Sequence, residues 1–322
     1  MVIIMYPLLL KPNVTDYLWG GTKLKTDFGY ETEKDIAAEA WVLSCHKDGA
    51  STVINGEFTG KTLPEVLEIW GKDALGKKAE KFPYFPLLIK LIDAKQKLSV
   101  QVHPDDKYAL EVEGEFGKTE MWYVVDCDEG AELIYGFKEN ITKEEFERRI
   151  QDNTLTEVCN FVPVHKGDVF FISAGTLHAI GEGILIAEVQ QNSNTTYRVS
   201  DYGRLGADGK PRPLHVEKAV DVTICEKPSM PYGQVGEIEE IDGAVVRKLA
   251  SCDLFTAKSV TVNGDFKVVD NDSFVSLLCL AGEAKLCFDN KEFNITKGDS
   301  VFVPAGMEVI VSGNAEIIYS CV

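Results

Sequence analysis

Histidine is scarce in this chain, and its cysteines are never paired. Five histidines stand in 322 residues, and the eight cysteines (45, 127, 159, 225, 252, 279, 287 and 321) contain no Cys-x-x-Cys spacing. That excludes the usual thiolate metal knuckle and dithiol redox motif, and it predicts reduced, mostly buried thiols and a cytoplasmic protein. Positive charge is short as well: 33 Lys and Arg face 51 Asp and Glu, a net charge of −18. Nucleic acid and anionic membrane are therefore excluded as partners. A small anion is not, because distant charges are screened beyond about 8 Å at physiological salt and one local cluster of cations can hold it. No apolar run approaches the roughly 20 residues of a membrane helix. The opening Met1 to Leu10 is apolar, but it has no basic flank or small-residue cleavage site and is interrupted by Pro7, so it is expected to be a first strand.

What is present is β texture with an internal echo. Lys166-Gly167-Asp168-Val169-Phe170-Phe171-Ile172-Ser173-Ala174-Gly175 returns as Lys297-Gly298-Asp299-Ser300-Val301-Phe302-Val303-Pro304-Ala305-Gly306, an offset of 297 − 166 = 131 residues. Each copy has a Lys-Gly-Asp turn launching a short apolar strand that ends at Ala-Gly, so one hairpin unit is used twice and two related β modules follow. At the same offset His178 falls opposite Val309, so the second copy lacks the imidazole. Two stretches read as helical. Thr62-Leu63-Pro64-Glu65 and Thr142-Lys143-Glu144-Glu145 have capping-box spacing, and they predict helical insertions over about 61–78, with Gly71 as a stop, and about 142–158.

The chemistry concentrates in Gln101-Val102-His103, Lys118-Thr119-Glu120 and Gly175-Thr176-Leu177-His178. If Leu98 to His103 is a strand, Leu98, Val100 and Val102 enter the core while Ser99, Gln101 and His103 share the other face. Residues two apart on a strand lie about 6.6 Å apart and metal bonds are about 2 Å, so both side chains can converge on one ion. Gln101, His103, Glu120 and His178 together offer one amide oxygen, two imidazoles and a carboxylate, a set that suits zinc and its divalent neighbours. A lone histidine is more often packed or solvated than a ligand; His46, His165 and His215 have no comparable setting and are assigned structural or supporting roles.

Several motifs carry a resemblance. Phe85-Pro86-Leu87-Leu88-Ile89-Lys90-Leu91-Ile92-Asp93-Ala94, Leu98 through Asp106, Gly117-Lys118-Thr119-Glu120-Met121 and Gly175-Thr176-Leu177-His178-Ala179 resemble type I mannose-6-phosphate isomerases, in particular the short bacterial form. So do Tyr6 through Gly21, Ala38-Glu39-Ala40-Trp41 and Pro211 through Ala219. The resemblance implies a mainly β chain of two cupin-like barrel or jelly-roll modules with a small helical portion. A metal-bearing catalytic module would occupy residues 1–220, and a metal-free one residues 221–322. It implies a zinc ion, one per chain, on His103, Glu120 and His178 with Gln101 as fourth ligand, and an essential arginine at Arg198. It also implies interconversion of mannose 6-phosphate and fructose 6-phosphate by a monomer or weak homodimer. The family often has Asp after the Ser of Asn192-Ser193-Asn194, so no catalytic role is carried onto Asn194.

Aldose–ketose interconversion moves a proton between C1 and C2 and passes negative charge onto oxygen. It needs a Lewis acid for the enediolate, a proton carrier and cations for the phosphate. Lys118 and Arg198 are the candidate cations for substrate binding and catalysis. For the proton, Glu188, Lys118, the surroundings of His103 and a metal-bound water all remain open, with Glu188 assigned a part. Glu188 and Arg198 share strand parity, but ten extended residues span about 33 Å, so both reach one pocket only if the chain turns at Asn192-Ser193-Asn194. Otherwise Glu188 is a solvated strand residue and Arg198 a surface ion pair. Two alternatives stand beside the isomerase: another metal-dependent cupin enzyme, such as an Fe(II) oxygenase, or a non-catalytic sugar-phosphate-binding regulator. A nucleotidyltransferase fusion is disfavoured by length and by the lack of a G-x-x-x-x-G-K-[ST] loop. Of the four tryptophans, Trp41, Trp70 and Trp122 are expected in the core and Trp19 at the pocket. The C-terminal module is expected to complete the fold or line one wall of the cleft.

Overall fold

The computed structural model describes residues 4–206 and 209–322. Among the described residues three antiparallel sheets carry the fold: one of ten strands, one of six and one of five. The six-stranded sheet contains Glu39–Ser44, Leu87–Ala94, Ile184–Gln191, Glu120–Cys127 and Val169–Ile172; the five-stranded sheet contains Tyr197–Ser200, Val100–Val102 and His178–Ala179. The chain is mainly β, as expected, with few and short helices.

Alternation along the strands gives the six-stranded sheet two different faces. Ile89, Leu91, Met121 and Val189 enter one hydrophobic cluster together with Phe255, Phe274, Phe302 and Ile318 of the C-terminal region. The adjacent residues Lys90, Glu120 and Glu188 point to the opposite face. On that face Trp122, Val124, Ile184 and Ile186 pack into a second cluster with Leu133, Phe170 and Ile172. The C-terminal region thus covers the back of the sheet whose front carries the charged residues. Phe274 bridges the two regions, its ring centroid 5.1 Å from that of Phe85 and 5.3 Å from that of Phe302.

Hydrogen bonding does not respect a cut at residue 220. Leu8–Lys11 pairs with Ser300–Val303 and with Thr52–Val53, so early strands belong to the ten-stranded sheet of the C-terminal region. Of the opening segment read as a strand, Leu8–Leu10 is strand, and residues 1–3 lie outside the described residues.

The expected helices form as Leu63–Trp70, followed by short 3-10 turns Lys72–Ala74 and Lys77–Lys81, and as Lys143–Gln151 with Leu155–Glu157 after it. Glu65 accepts from the Thr62 backbone N–H at 2.7 Å, Thr142 accepts from that of Glu145 at 3.1 Å, and Gly71 ends the first helix at φ 76°. A helix that the sequence reading omitted, Asp106–Val112, begins just after His103; Asp105 caps it by accepting from the Tyr108 N–H at 2.8 Å.

The repeat holds down to single hydrogen bonds. Asp168 accepts from the His165 N–H at 2.8 Å, and Asp299 accepts from the Thr296 N–H at 2.7 Å. Val169–Ile172 then corresponds to Ser300–Val303, and His178 and Val309 each open the next strand.

Candidate metal centre and active-site cleft

Strand pairing assembles the site from two rows. In the five-stranded sheet Arg198 lies opposite Gln101, which lies opposite His178. In the six-stranded sheet Trp41 faces Lys90, Lys90 faces Glu188, and Glu188 faces Trp122. Directly opposed residues of antiparallel strands share a face, so each row presents its side chains together. Glu120 pairs with Gln190, two residues along from the second row and so on the same face. The loops are tied as well: the Gly175 N–H donates to the His103 carbonyl at 2.8 Å, and the Lys118 N–H to the Pro104 carbonyl at 3.0 Å. Gly117 is needed for that closeness, because a methyl carbon there would lie 2.4 Å from the Asp105 carbonyl carbon. Gly117→Ala is expected to shift Lys118 and Glu120 against His103 and lower kcat on the order of 10²-fold. Steady-state kinetics checks this, and wild-type turnover would show that the loop accommodates the methyl group.

His103, Glu120 and His178 meet in the interior, each at most 1% exposed. The two imidazole Nε2 atoms are 3.1 Å apart; His178 Nε2 is 3.4 Å and His103 Nε2 3.7 Å from a Glu120 oxygen. Nδ1 of His103 contacts the Thr195 carbonyl at 2.9 Å, and Nδ1 of His178 the Thr176 carbonyl at 2.8 Å. A carbonyl only accepts, so both Nδ1 atoms carry the proton and both Nε2 atoms present bare lone pairs to each other. Burial holds both rings below their ordinary pKa, His178 at about 4, so no ring proton bridges them. Glu120 Oε1 is buried without a hydrogen-bond donor, and Oε2 meets the Lys118 ammonium at 3.0 Å. Two facing lone pairs and a carboxylate oxygen without a donor are costly unless a cation lies between them. Donor atoms held about 2.05 Å from a tetrahedral ion stand about 3.3 Å apart, and the separations of 3.1 Å between the rings, 3.4 Å to Glu120 Oε1 and 3.7 Å to Oε2 bracket that value. The residues fit a divalent cation.

Gln101 points its amide nitrogen at His178 Nε2, 3.4 Å away. Turning the amide about its last torsion puts the oxygen in that place, as a fourth ligand would require.

Around this centre runs a buried chain of alternating charge. Glu39, Lys90, Glu188, Lys118 and Glu120 are all at most 8% exposed. Lys90 Nζ lies 3.7 Å from Glu39 and 3.4 Å from Glu188; Lys118 Nζ lies 3.8 Å from Glu188 and 3.0 Å from Glu120. Two ammoniums against three carboxylates give 2 − 3 = −1, a deficit that a divalent cation more than offsets. Burial alone would raise the Glu188 carboxyl, but Lys118 and Lys90 outweigh it and hold it low. Burial and Glu188 push Glu120 the other way, against the pull of Lys118. Glu188 is therefore no solvated strand residue.

The cleft over this chain has a volume of about 290 Å³, and Gln101, Lys118, Glu188, Arg198 and Trp19 all line it. Asn192-Ser193-Asn194 does turn the chain, so Glu188 and Arg198 leave different sheets and reach one pocket. Arg198 makes no ion pair among the described residues. It donates to the Pro213 carbonyl at 3.1 Å, and its buried Nε–H has no partner. Asn194 donates to Asp48 at 3.1 Å, where an aspartate would set two carboxylates against each other. Sequence reasoning missed Lys90, Glu39, Tyr17 and Arg212, which also line the cleft. The available clue was a lone lysine inside the otherwise apolar Leu87–Ile92. Trp41 and Trp122 are core residues as expected, but their indole N–H groups donate to Glu39 and Glu188 at 2.7 and 2.8 Å. No residue of the C-terminal region lines this cleft, so that region supports the site from behind the sheet rather than forming a wall.

Comparison with known proteins agrees with this geometry. Residues 8–134 match the family described as phosphomannose isomerase type I, catalytic domain, and residues 246–322 match the mannose-6-phosphate isomerase cupin domain. Mannose-6-phosphate isomerase ManA of Bacillus subtilis is 39% identical over 316 residues, 98% of each chain. The chain belongs to the type I phosphomannose isomerases. The mannose-6-phosphate isomerase of Streptococcus mutans is 37% identical, again over 98% of both chains. The crystal structure of the mannose 6-phosphate isomerase from Bacillus subtilis superposes with a TM-score of 0.89 at 35% identity, covering 98% of this chain and 99% of that one. As a type I phosphomannose isomerase, the enzyme interconverts mannose 6-phosphate and fructose 6-phosphate.

Proposed function

We propose that isomerisation runs through an enediolate in the cleft between the six- and five-stranded sheets, with one zinc ion per chain held by His103, Glu120, His178 and Gln101. The observation that carries this reading is the pair of proton-free Nε2 atoms 3.1 Å apart beside a fully buried Glu120 whose Oε1 has no donor. When bound, the cation supplies Lewis acidity toward the substrate oxygens and the developing enediolate charge.

The chain's own residues do the rest. Lys118 brings an ammonium into the cleft between Glu120 and Glu188, where it stabilises negative charge on the substrate oxygens. Glu188 takes part in moving the proton between C1 and C2: it stays ionised beside two ammoniums, and its Oε1 accepts no hydrogen bond. Arg198 turns its unpartnered Nε–H to the phosphate, for which a planar guanidinium is suited. The metal-bearing catalytic unit comprises the chain to about residue 220, and the metal-free C-terminal unit backs it. The eight free thiols fit a cytoplasmic enzyme. Its partner is the phosphorylated hexose alone, without nucleic acid or membrane, and the chain works as a monomer or weak homodimer.

A coupled assay of mannose 6-phosphate conversion, with and without chelator and alongside elemental analysis, tests this reading. One zinc per chain and loss of turnover on chelation are expected; full activity after exhaustive chelation rejects it. Arg198→Ala should cost a charged hydrogen bond of about 1.5–3 kcal/mol, or on the order of 10- to 100-fold in kcat/KM. Most of that loss should appear as a raised KM. An unchanged KM for mannose 6-phosphate would remove Arg198 from the phosphate site.

A further inference from the structure

Lys90 has no direct task in the chemistry described above, yet its ammonium is buried in the middle of an apolar strand. Its neighbours along that strand, Ile89 and Leu91, face the opposite core. Such a placement is expensive, and buried ion pairs are often no more stabilising than apolar side chains of the same volume. The arrangement around it is close to symmetric. Trp41 Nε1 donates to Glu39 at 2.7 Å and Trp122 Nε1 donates to Glu188 at 2.8 Å. Lys90 Nζ stands between the two carboxylates, 3.7 Å from Glu39 and 3.4 Å from Glu188, with the Trp41 ring centroid 5.1 Å away. Trp41, Lys90, Glu188 and Trp122 form one row across four strands. The indole therefore fixes one Glu188 oxygen and Lys90 faces the other, the oxygen left without a hydrogen-bond donor.

We infer that Lys90, anchored by Glu39, is a positioning residue: it holds the Glu188 carboxylate in the orientation used for proton transfer, without touching the substrate's reacting atoms. The inference rests on the assignment of Glu188 to proton transfer. A lysine anchored on one side only could swing toward Glu120 or into the cleft. Glu39 gives it a second anion on the far side, and the Trp41 N–H keeps Glu39 in place in turn. Each member of the clamp is buried, so the carboxylate has little freedom to rotate.

Lys90→Met keeps the length and volume of the side chain and removes the charge. On the zinc-loaded enzyme it should lower kcat about 10- to 100-fold, the range seen when a residue supporting an active-site group is removed. KM should stay within about twofold and the zinc content should not change. In a Glu188→Gln background the same substitution should cost nothing further, because there is no longer a carboxylate to position; that non-additivity is what a purely structural lysine would not produce. Wild-type kcat in Lys90→Met, or a loss that multiplies fully with that of Glu188→Gln, overturns the inference. If Lys90→Met does not fold, Glu39→Gln takes its place in the same cycle, with a kcat loss of the same kind and the same non-additivity expected, and the same two results would overturn it. Should Glu188→Gln turn over normally, the assignment of Glu188 falls and the inference falls with it. A slow Glu188→Gln beside a fully active Lys90→Met defeats the positioning role alone.

Discussion

Replacing His103 or His178 by alanine should remove metal and turnover together. Each imidazole has its Nδ1–H committed to a backbone carbonyl and its Nε2 directed at the other ring and Glu120, so neither has a substitute within the triangle. A cation polarising substrate oxygens supplies several kcal/mol of transition-state stabilisation. At 1.36 kcal/mol per factor of ten, kcat/KM is expected to fall by about 10³-fold or more. Elemental analysis of the purified variants should show substoichiometric zinc. A second readout follows from linkage: a cation that binds only the folded state raises the melting temperature, by an amount that grows with the logarithm of its free concentration over Kd. Added zinc should therefore raise the melting temperature of the chelated wild-type protein and leave that of His178→Ala nearly unmoved. A His178→Ala variant with full metal and full activity would end the assignment of these residues as ligands.

The second large effect is expected at Glu188. Glu188→Gln preserves shape and the contact with the Trp122 N–H but removes the negative charge between Lys90 and Lys118. Removal of a positioned acid–base group costs about 10²–10⁴-fold in rate, and kcat should carry that loss while zinc content stays at the wild-type level. The two lysines then share fewer anions, so some thermal stability should be lost as well. Metal analysis separates this outcome from damage to the centre: low turnover with intact zinc supports the proton-transfer role, and near-normal turnover with intact zinc removes it. Binding and chemistry can be told apart in the same experiment, because Glu188 lies on the six-stranded sheet while Arg198, expected to act through KM, lies on the five-stranded one.

The donor set was legible in the sequence because its logic is short-range. Gln101 lies in the strand Val100–Val102 with His103 just past its end, Lys118 stands two residues before Glu120 at the start of Glu120–Cys127, and His178 follows a Gly-containing turn whose duplicate ends in Val309 instead. Strand period and turn chemistry fix those relations within a few residues. Helix starts were readable for the same reason, with Thr62 and Thr142 each bonded to the residue three further on. The second bound was less so: Gly71 stops the first helix as expected, but Gln151 ends the second α-helix where the pattern allowed a longer one.

Pairing between distant strands lay beyond that reach. Lys90 meets Glu188 only because Leu87–Ala94 and Ile184–Gln191 are neighbours in one sheet, and no periodicity in either segment names its partner. The same pairing buries Glu188, sets Trp41 and Trp122 as donors rather than mere filling, and brings Glu39 to the cleft. Position in the chain does not show where the sheets interleave: Leu8–Lys11 hydrogen-bonds to Ser300–Val303, and the C-terminal region completes the fold behind the catalytic sheet. The amino-acid sequence by itself determined which atoms can bind a metal, through spacings set by local backbone geometry. The tertiary structure alone decided which charges surround that metal, because burial and cross-strand contact join residues about a hundred positions apart.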